Sequence, residues 1–396
     1  MNGEFTSSQA EKAENLSRLA GLILVVLSLL FPRGTYVWGL ALLAFALVLR
    51  KVGPERPVRL ALEFWVAVVC TFYFWLTGLL PNFAAHASEG NALLFSAILI
   101  ASFGFPVQVP VRWLEPRMFL GPLMIAFVLG HLVGDFFFQG PPHRRFDGLF
   151  SNIHYLSGYV VLTLPVLMVL ILRAQGWLRI LLCLALLLDL GLLLASRSRP
   201  GFMALGASVL MLVPFLEGAS RWRLLLSAGV GFGFLYFLNP FEFATKIQDF
   251  LAHVAEDERA EIWSGTLEML KNNSMFEWVF GHGLGQFLVD YHDLSLIRQT
   301  KVWVSPHNFV LEILYSHGIL GLCVFFAAMF WLFRTLIRRL SDQGLSSETR
   351  TDGLMLISML TAVVTHGFFT IPFFSRDFLL PFALLVGWSL RTLHPR

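Results

Sequence analysis

Two kinds of residue in this chain have the chemistry of a transfer reaction. The first is a histidine, His307, in the run Trp303-Val304-Ser305-Pro306-His307-Asn308. A long apolar stretch follows it immediately. Ser305 has the side chain to cap a helix there, and Pro306 suits a first turn, where a missing N–H costs nothing. His307 would then lie at the positive end of the helix dipole, which disfavours imidazolium and keeps the ring neutral, as a base must be. The plainer reading is a polar residue at a membrane boundary. The second kind is arginine in tight clusters. One cluster is His143-Arg144-Arg145, the other Ser196-Arg197-Ser198-Arg199-Pro200. Arginine presents a planar fork that grips phosphate oxygens two at a time. The alternative is side chains reaching up to lipid headgroups.

The elements that must position these residues are almost all apolar. Of 396 residues, 56% are hydrophobic and 14% are charged, against about a quarter charged in a soluble domain, so lipid solvates most of the chain. A membrane span needs about 20 apolar residues. Twelve runs are read as spans: 19–31, 36–49, 60–80, 92–107, 118–138, 155–172, 180–194, 201–215, 224–238, 307–333, 354–373 and 378–390. The fold class expected is therefore an all-α integral membrane protein. It divides into nine spans over 1–238, one large polar loop over 239–306 and three spans over 307–396.

Charge orients the ladder. With the N-terminus inside, 18 of the 29 Lys and Arg fall on the inner side, as the positive-inside rule requires. Both termini are then expected in the cytoplasm and the large loop outside. The arginine clusters are outward exceptions, which is why they attract attention: a cation so near hydrocarbon needs a partner or a ligand. Met1–Glu14 has no cleavable signal pattern, so the first apolar run is expected to stay as a span. Cys70, Cys183 and Cys323 all lie in apolar runs and form no disulfide framework.

Other motifs carry less. His131 and Asp135 share a helix face four residues apart, which fits a polar pair at the mouth of an outward cavity better than a proton relay. The loop has a helical period through Phe243, Ile247, Phe250, Leu251 and Val254 and is expected to be partly helical. Arg259 follows there among four acids, where a surface salt bridge is the ordinary reading. Gly281-His282-Gly283-Leu284-Gly285 is a tight turn able to bring backbone N–H groups near a ligand. The segment 334–352 is basic and polar and reads as a solvated connector. No phosphate-binding lysine loop, Rossmann turn, zinc helix or nucleophile elbow is present.

Taken in order, several of these pieces resemble the O-antigen ligase and polymerase family. Ser305-Pro306-His307-Asn308-Phe309-Val310-Leu311, then Gly318-Ile319-Leu320-Gly321-Leu322, is similar to its membrane-embedded block, a His-Asn pair followed by a glycine-flanked turn. Ser198-Arg199 before Gly201, Arg259 with Ile262-Trp263, and Gly281–Phe287 resemble its other elements. One departure is Ser316, where the family often has an acid; here the acid is Glu312.

The resemblance implies a GT-C-like glycosyltransferase of the bacterial (Gram-negative) inner membrane, with its site facing the periplasm. The implied donor is a polysaccharide on undecaprenyl pyrophosphate, and the implied acceptor is a sugar hydroxyl of lipid A–core. Membrane lipids are the remaining partner, with no nucleic acid and no cofactor expected. On this reading His307 is the base, and Arg199 and Arg259 stabilise the pyrophosphate. Arg197, Arg145, Arg144, Asn308 and His282 bind substrate. Metal independence is expected, because the first outward loop, 32–35, carries no acid to hold a metal. An O-antigen polymerase uses the same donor with a second lipid-linked chain. A protein O-oligosaccharyltransferase shares the block but often extends past the last span, where this sequence stops at Arg396. A polytopic transporter or flippase would also fit twelve spans, but its polar residues gather at the midplane and its halves repeat.

Overall fold

A computed structural model of the chain describes residues 153–216, 218–239, 244–245, 248, 258–342 and 344–370. The first five expected spans, the twelfth, the His131/Asp135 pair and the Arg144–Arg145 cluster lie outside these residues. The described residues are helical, with no strand among them.

Four helices precede the loop: α1 (Ile153–Arg173), α2 (Gly176–Ser196), α3 (Arg199–Leu212, prolonged by a 3-10 turn to Phe215) and α4 (Gly218–Leu238). The loop contributes α5 (Glu258–Lys271), α6 (Met275–Phe280) and α7 (Gln286–Arg298). Two long helices follow, α8 (Phe309–Leu340) and α9 (Ser347–Gly367). The expected spans over 155–238 each coincide with a helix. The connector expected over 334–352 shrinks to six residues, 341–346, because the basic residues of the last turn of α8 and first turn of α9 are helical.

The bundle core joins α1, α3 and α9, with α2 against α1. Val166, Leu167, Met355, Leu356, Ile357 and Leu360 are fully buried or nearly so in one cluster, and Leu156, Val160, Leu164, Leu193 and Ala204 in a second. The outward faces are equally apolar: Trp177 is 72% exposed and Phe237 87%. A face that apolar needs a lipid solvent. α2 and α8 are long and apolar enough to cross a bilayer.

α8 is not one rod. Gly318 has φ 66° and ψ −172°, a non-helical conformation. Phe309 and Phe325 have ring centroids 5.3 Å apart, whereas sixteen residues of straight helix would separate them by about 24 Å. The chain therefore doubles back at Gly318. A short limb, 309–317, climbs to the turn, and 319–340 descends from it. The descending limb rises about 33 Å along its axis, enough to span a bilayer. The span expected over 307–333 is thus displaced to 319–340, and the cause is one glycine in a conformation that helical periodicity cannot register.

The turn is clamped by the glycine loop after α6. The N–H groups of His282 and Gly283 donate to the carbonyls of Tyr315 (2.8 Å) and Ser316 (2.9 Å), capping the short limb. Gly281 and Gly318 are the close-approach positions: a Cβ on Gly281 would meet the backbone of Ser316 and His317 at 2.4 Å, and one on Gly318 would meet the carbonyl oxygen of Val279 at 2.2 Å. These N–H groups, expected to be available to a ligand, hold the fold-back instead.

Chain direction sorts the helix ends. The start of α1, the end of α2, the start of α3 and the end of α9 lie together: Ser157 bonds His366, and Gly201 abuts Ser157. At the opposite end, Arg350 of α9 donates to the Phe215 carbonyl at 3.1 Å, and Gly353 packs on Leu340.

Candidate functional site

His307 sits where the loop enters the bundle. Its φ is 52°, a left-handed conformation rare outside glycine. Asn308 follows as the N-cap of the short limb, its Oδ1 accepting from the N–H groups of Val310 (2.9 Å) and Leu311 (3.2 Å). The cap expected at Ser305, with Pro306 in the first turn, is therefore three residues too early. Ser305 and Pro306 are buried ahead of the helix. Asn308, expected to bind substrate, uses its side-chain oxygen as the cap, the strongest N-cap chemistry in the segment.

The His307 ring is fixed on three sides. Its Nδ1 bonds the carbonyl oxygen of Thr370, just past the end of α9. A carbonyl only accepts, so Nδ1 carries the proton and the neutral ring has its lone pair on Nε2. Trp303 stands edge-on at 5.6 Å and His154 of α1 at 6.1 Å, centroid to centroid. Burial lowers the His307 pKa below the ordinary histidine value; the Thr370 carbonyl opposes this, and the positive charge of Arg259 reinforces it.

Arg259, at the start of α5, grips the neighbouring carbonyl: its Nε donates to Phe369 at 2.9 Å. Next on the same helix, Trp263 donates from Nε1 to the Pro306 carbonyl at 3.1 Å. The turn 368–370 and the segment before the short limb are thus tied to α5 from both sides. Lys301 lies 4.1 Å over the Trp303 ring, adding a second cation on this side.

Arg197 opens the two-residue turn from α2 to α3, and Arg199 is the first residue of α3. Arg197 closes α2 with φ 52°, and its N–H donates to Leu194 at 3.0 Å. Ser198 caps α3 by accepting from Gly201 N–H at 3.3 Å. Gly201 is a glycine for a reason of space: a Cβ would lie 2.5 Å from Leu193 and 3.4 Å from Ser157. The turn is thereby seated on the first turn of α1. His154 and Ser157 are three residues apart on that turn, so His307 and the arginine turn abut the same helix end. Both arginines are half-buried.

His282 is held elsewhere. Its ring stacks on Tyr315 at 4.4 Å and bonds Asn273 at 2.9 Å, with Glu277 and Asp290 near its other nitrogen. Tyr315 donates to Asp290, which also accepts from Gln286 at 2.8 Å. This network joins α6, α7 and the short limb over an aromatic core of Phe287, Tyr291 and Tyr315. Among the described residues, no three His, Cys, Asp or Glu side chains are grouped to hold a metal.

Several polar residues here were not singled out by motif. His154, Ser157, His366 and Thr370 lie at helix ends in otherwise apolar runs. Asp189 lies fully buried within α2 and accepts from Thr163 of α1. An acid inside an apolar run was a readable signal. The helix-end residues give none until the helices are packed.

A family model described as O-antigen ligase matches residues 184–326. The match covers 143 of the 396 residues, and over that stretch the chain is similar to the O-antigen ligase family. The matched stretch runs from mid-α2 through the fold-back of α8, and so includes Arg197, Arg199, Arg259, His282, His307 and Asn308. The matched domain supports O-antigen ligase- or polymerase-type activity in a membrane protein. No curated protein matches the chain.

Proposed function

We propose that this protein transfers a polysaccharide from undecaprenyl pyrophosphate to a sugar hydroxyl of lipid A–core at the periplasmic face of the inner membrane. The observation that carries the reading is the His307 ring. Its Nδ1–H is held by a backbone carbonyl, its Nε2 lone pair is left to act, the charge of Arg259 is felt at the ring, and the ring lies against the same first turn of α1 that seats the Arg197–Arg199 turn.

Nε2 takes the proton of the acceptor hydroxyl as that oxygen attacks the anomeric carbon. The bond from that carbon to the pyrophosphate oxygen breaks, and undecaprenyl pyrophosphate leaves. One displacement inverts the anomeric configuration. Negative charge grows on the leaving oxygens, and fixed guanidinium groups stabilise it without reorganising. Arg199 and Arg259 take that role, with Arg197, Arg144 and Arg145 binding the phosphates. Asn308 and His282 shape the acceptor side by holding the loop and short limb. Because arginines carry the neutralisation, transfer is metal-independent. His307 returns its proton to solvent to close the cycle.

The test is reconstituted transfer with purified protein, lipid-pyrophosphate-linked polysaccharide and lipid A–core, with a chelator present. General-base loss is worth about two to four powers of ten, so His307→Ala removes detectable transfer under multiple-turnover conditions. Growth of the chain on the donor lipid, without transfer to lipid A–core, moves the assignment to a polymerase. Transfer by wild type that stops with the chelator defeats metal independence.

A further inference from the structure

His307 is held by a carbonyl, and that carbonyl must itself be held. Thr370 lies beyond the last turn of α9, where backbone groups have left the helical ladder. What fixes it is a buried chain of side chains running back into α1. Thr370 Oγ1 is 2.7 Å from the His366 carbonyl oxygen and 3.0 Å from His366 Nδ1. The hydroxyl has one proton, and the carbonyl can only accept it. Oγ1 therefore accepts from His366 Nδ1–H. The neutral His366 ring then has its lone pair on Nε2, which faces the Ser157 hydroxyl at 2.9 Å. Ser157 also has the His154 carbonyl at 3.1 Å, and it turns to the closer ring nitrogen. Ser157 and His366 are fully buried and Thr370 is 1% exposed, so no solvent competes for these bonds.

We infer that His366 and Ser157 are positioning residues for His307. The relay Ser157 to His366 to Thr370 sets the turn 368–370. That turn presents two successive carbonyls, Phe369 to Arg259 and Thr370 to His307. The residues that hold the base in one tautomer thus come from α1 and α9, outside the stretch 184–326 that the family model matches. Neither residue touches substrate. They act by keeping the His307 ring aimed and its proton on Nδ1, so that Nε2 meets the acceptor. The inference rests on His307 being the base.

The experiment pairs kinetics with a readout that needs no activity. His366→Ala lowers kcat about 10- to 100-fold, the usual cost of losing an orienting partner behind a working group, with donor KM unchanged. His366→Asn keeps an N–H at the Nδ1 position and restores most of the rate. Ser157→Ala removes one hydroxyl from the far end of the relay and gives an intermediate loss, so the inference stays testable if His366→Ala unfolds. In a His307→Ala background, followed under single-turnover conditions, His366→Ala costs nothing further, because the two act as a unit. An equal loss in both backgrounds means a merely structural role and overturns the inference, as does wild-type kcat in His366→Ala. In detergent, 15N-histidine spectra assign the His307 ring by its absence from His307→Ala. The wild-type ring shows the Nδ1–H tautomer, which His366→Ala mixes and His366→Asn keeps. An unchanged tautomer in His366→Ala overturns the inference. If His307→Ala transfers at the wild-type rate, the base assignment itself fails, and the tautomer spectra alone decide whether His366 positions the ring.

Discussion

A histidine works as a base only in the pH range where it is unprotonated, and His307 is adapted toward the acid side. Burial lowers its pKa first, and Arg259 and Lys301 lower it further, against the Thr370 carbonyl and Glu258. The folded value thus lies below the unfolded one. The neutral ring's contribution to stability is fully present above the ordinary histidine range and is lost as pH falls toward the folded value. For activity, the acid limb of kcat/KM for transfer falls below pH 6.5, the ordinary histidine value. Arg259→Gln removes one of the lowering charges and moves that limb up in pH, besides reducing the rate. A limb that stays put in Arg259→Gln would mean that the limb reports another group. Much of this residue-scale picture was legible in the sequence: a histidine ahead of a helix, arginines at a short turn between two helices, Arg259 with Trp263. The tautomer was not, because it is set by a carbonyl 63 residues away in sequence.

Among the elements, the fold-back at Gly318 decides where His307, the proposed base, goes. Apolar periodicity continues from the short limb into the descending one, so the sequence reads as one span over 307–333. Only the backbone at one glycine separates the two limbs. The capping prediction failed in a related way: Ser305, Asn308 and Pro306 are all good N-terminal residues, and spacing alone does not choose between them. Asn308 is the cap, its Oδ1 accepting from two N–H groups just after His307 turns the chain in a left-handed conformation. Two substitutions test the arrangement. Gly318→Ala puts a Cβ against the Val279 carbonyl at a positive φ, and Gly281→Ala does the same to the Ser316–His317 peptide. Each costs on the order of 3 kcal/mol from strain alone, with the clash added. Thermal unfolding in detergent reads this as a clear drop, and transfer falls with it because His307 lies directly ahead of the short limb that the turn anchors. Asn308→Ala leaves two N–H groups without their cap and costs about 1 kcal/mol. A Gly318→Ala protein that melts and transfers like wild type would refute the role given to the fold-back.

At the scale of the whole molecule, polarity is sorted between the two ends of the bundle. One end gathers His154, Ser157, the Arg197–Arg199 turn, His307, Arg259 and the α9 terminus. The other carries Arg334, Arg338, Arg339 and Arg350, and there arginines serve the backbone. Arg221 donates to the Val213 and Leu216 carbonyls and Arg350 to Phe215, each satisfying a carbonyl at a helix C-terminus. The positive-inside rule leads us to expect that second end in the cytoplasm, which would turn the His307 end to the periplasm, as the proposed transfer requires. This orientation is testable without any substrate. The native cysteines are replaced, and single cysteines are placed at exposed positions near each end, Met275→Cys in the loop and Ser341→Cys after α8. A membrane-impermeant maleimide added to spheroplasts labels Met275→Cys at once. Ser341→Cys reacts only after the membrane is permeabilised. The reverse pattern would place His307 in the cytoplasm, away from a periplasmic acceptor, and the proposed transfer would have no substrate on its side of the membrane. Equal labelling of both positions before permeabilisation would break the span assigned to 319–340. The proposed orientation, the fold-back and the proposed site therefore stand on one physical requirement: the limb 319–340 crosses the bilayer alone, while 309–317 runs back beside it and leaves His307, just ahead of that limb, packed against α1.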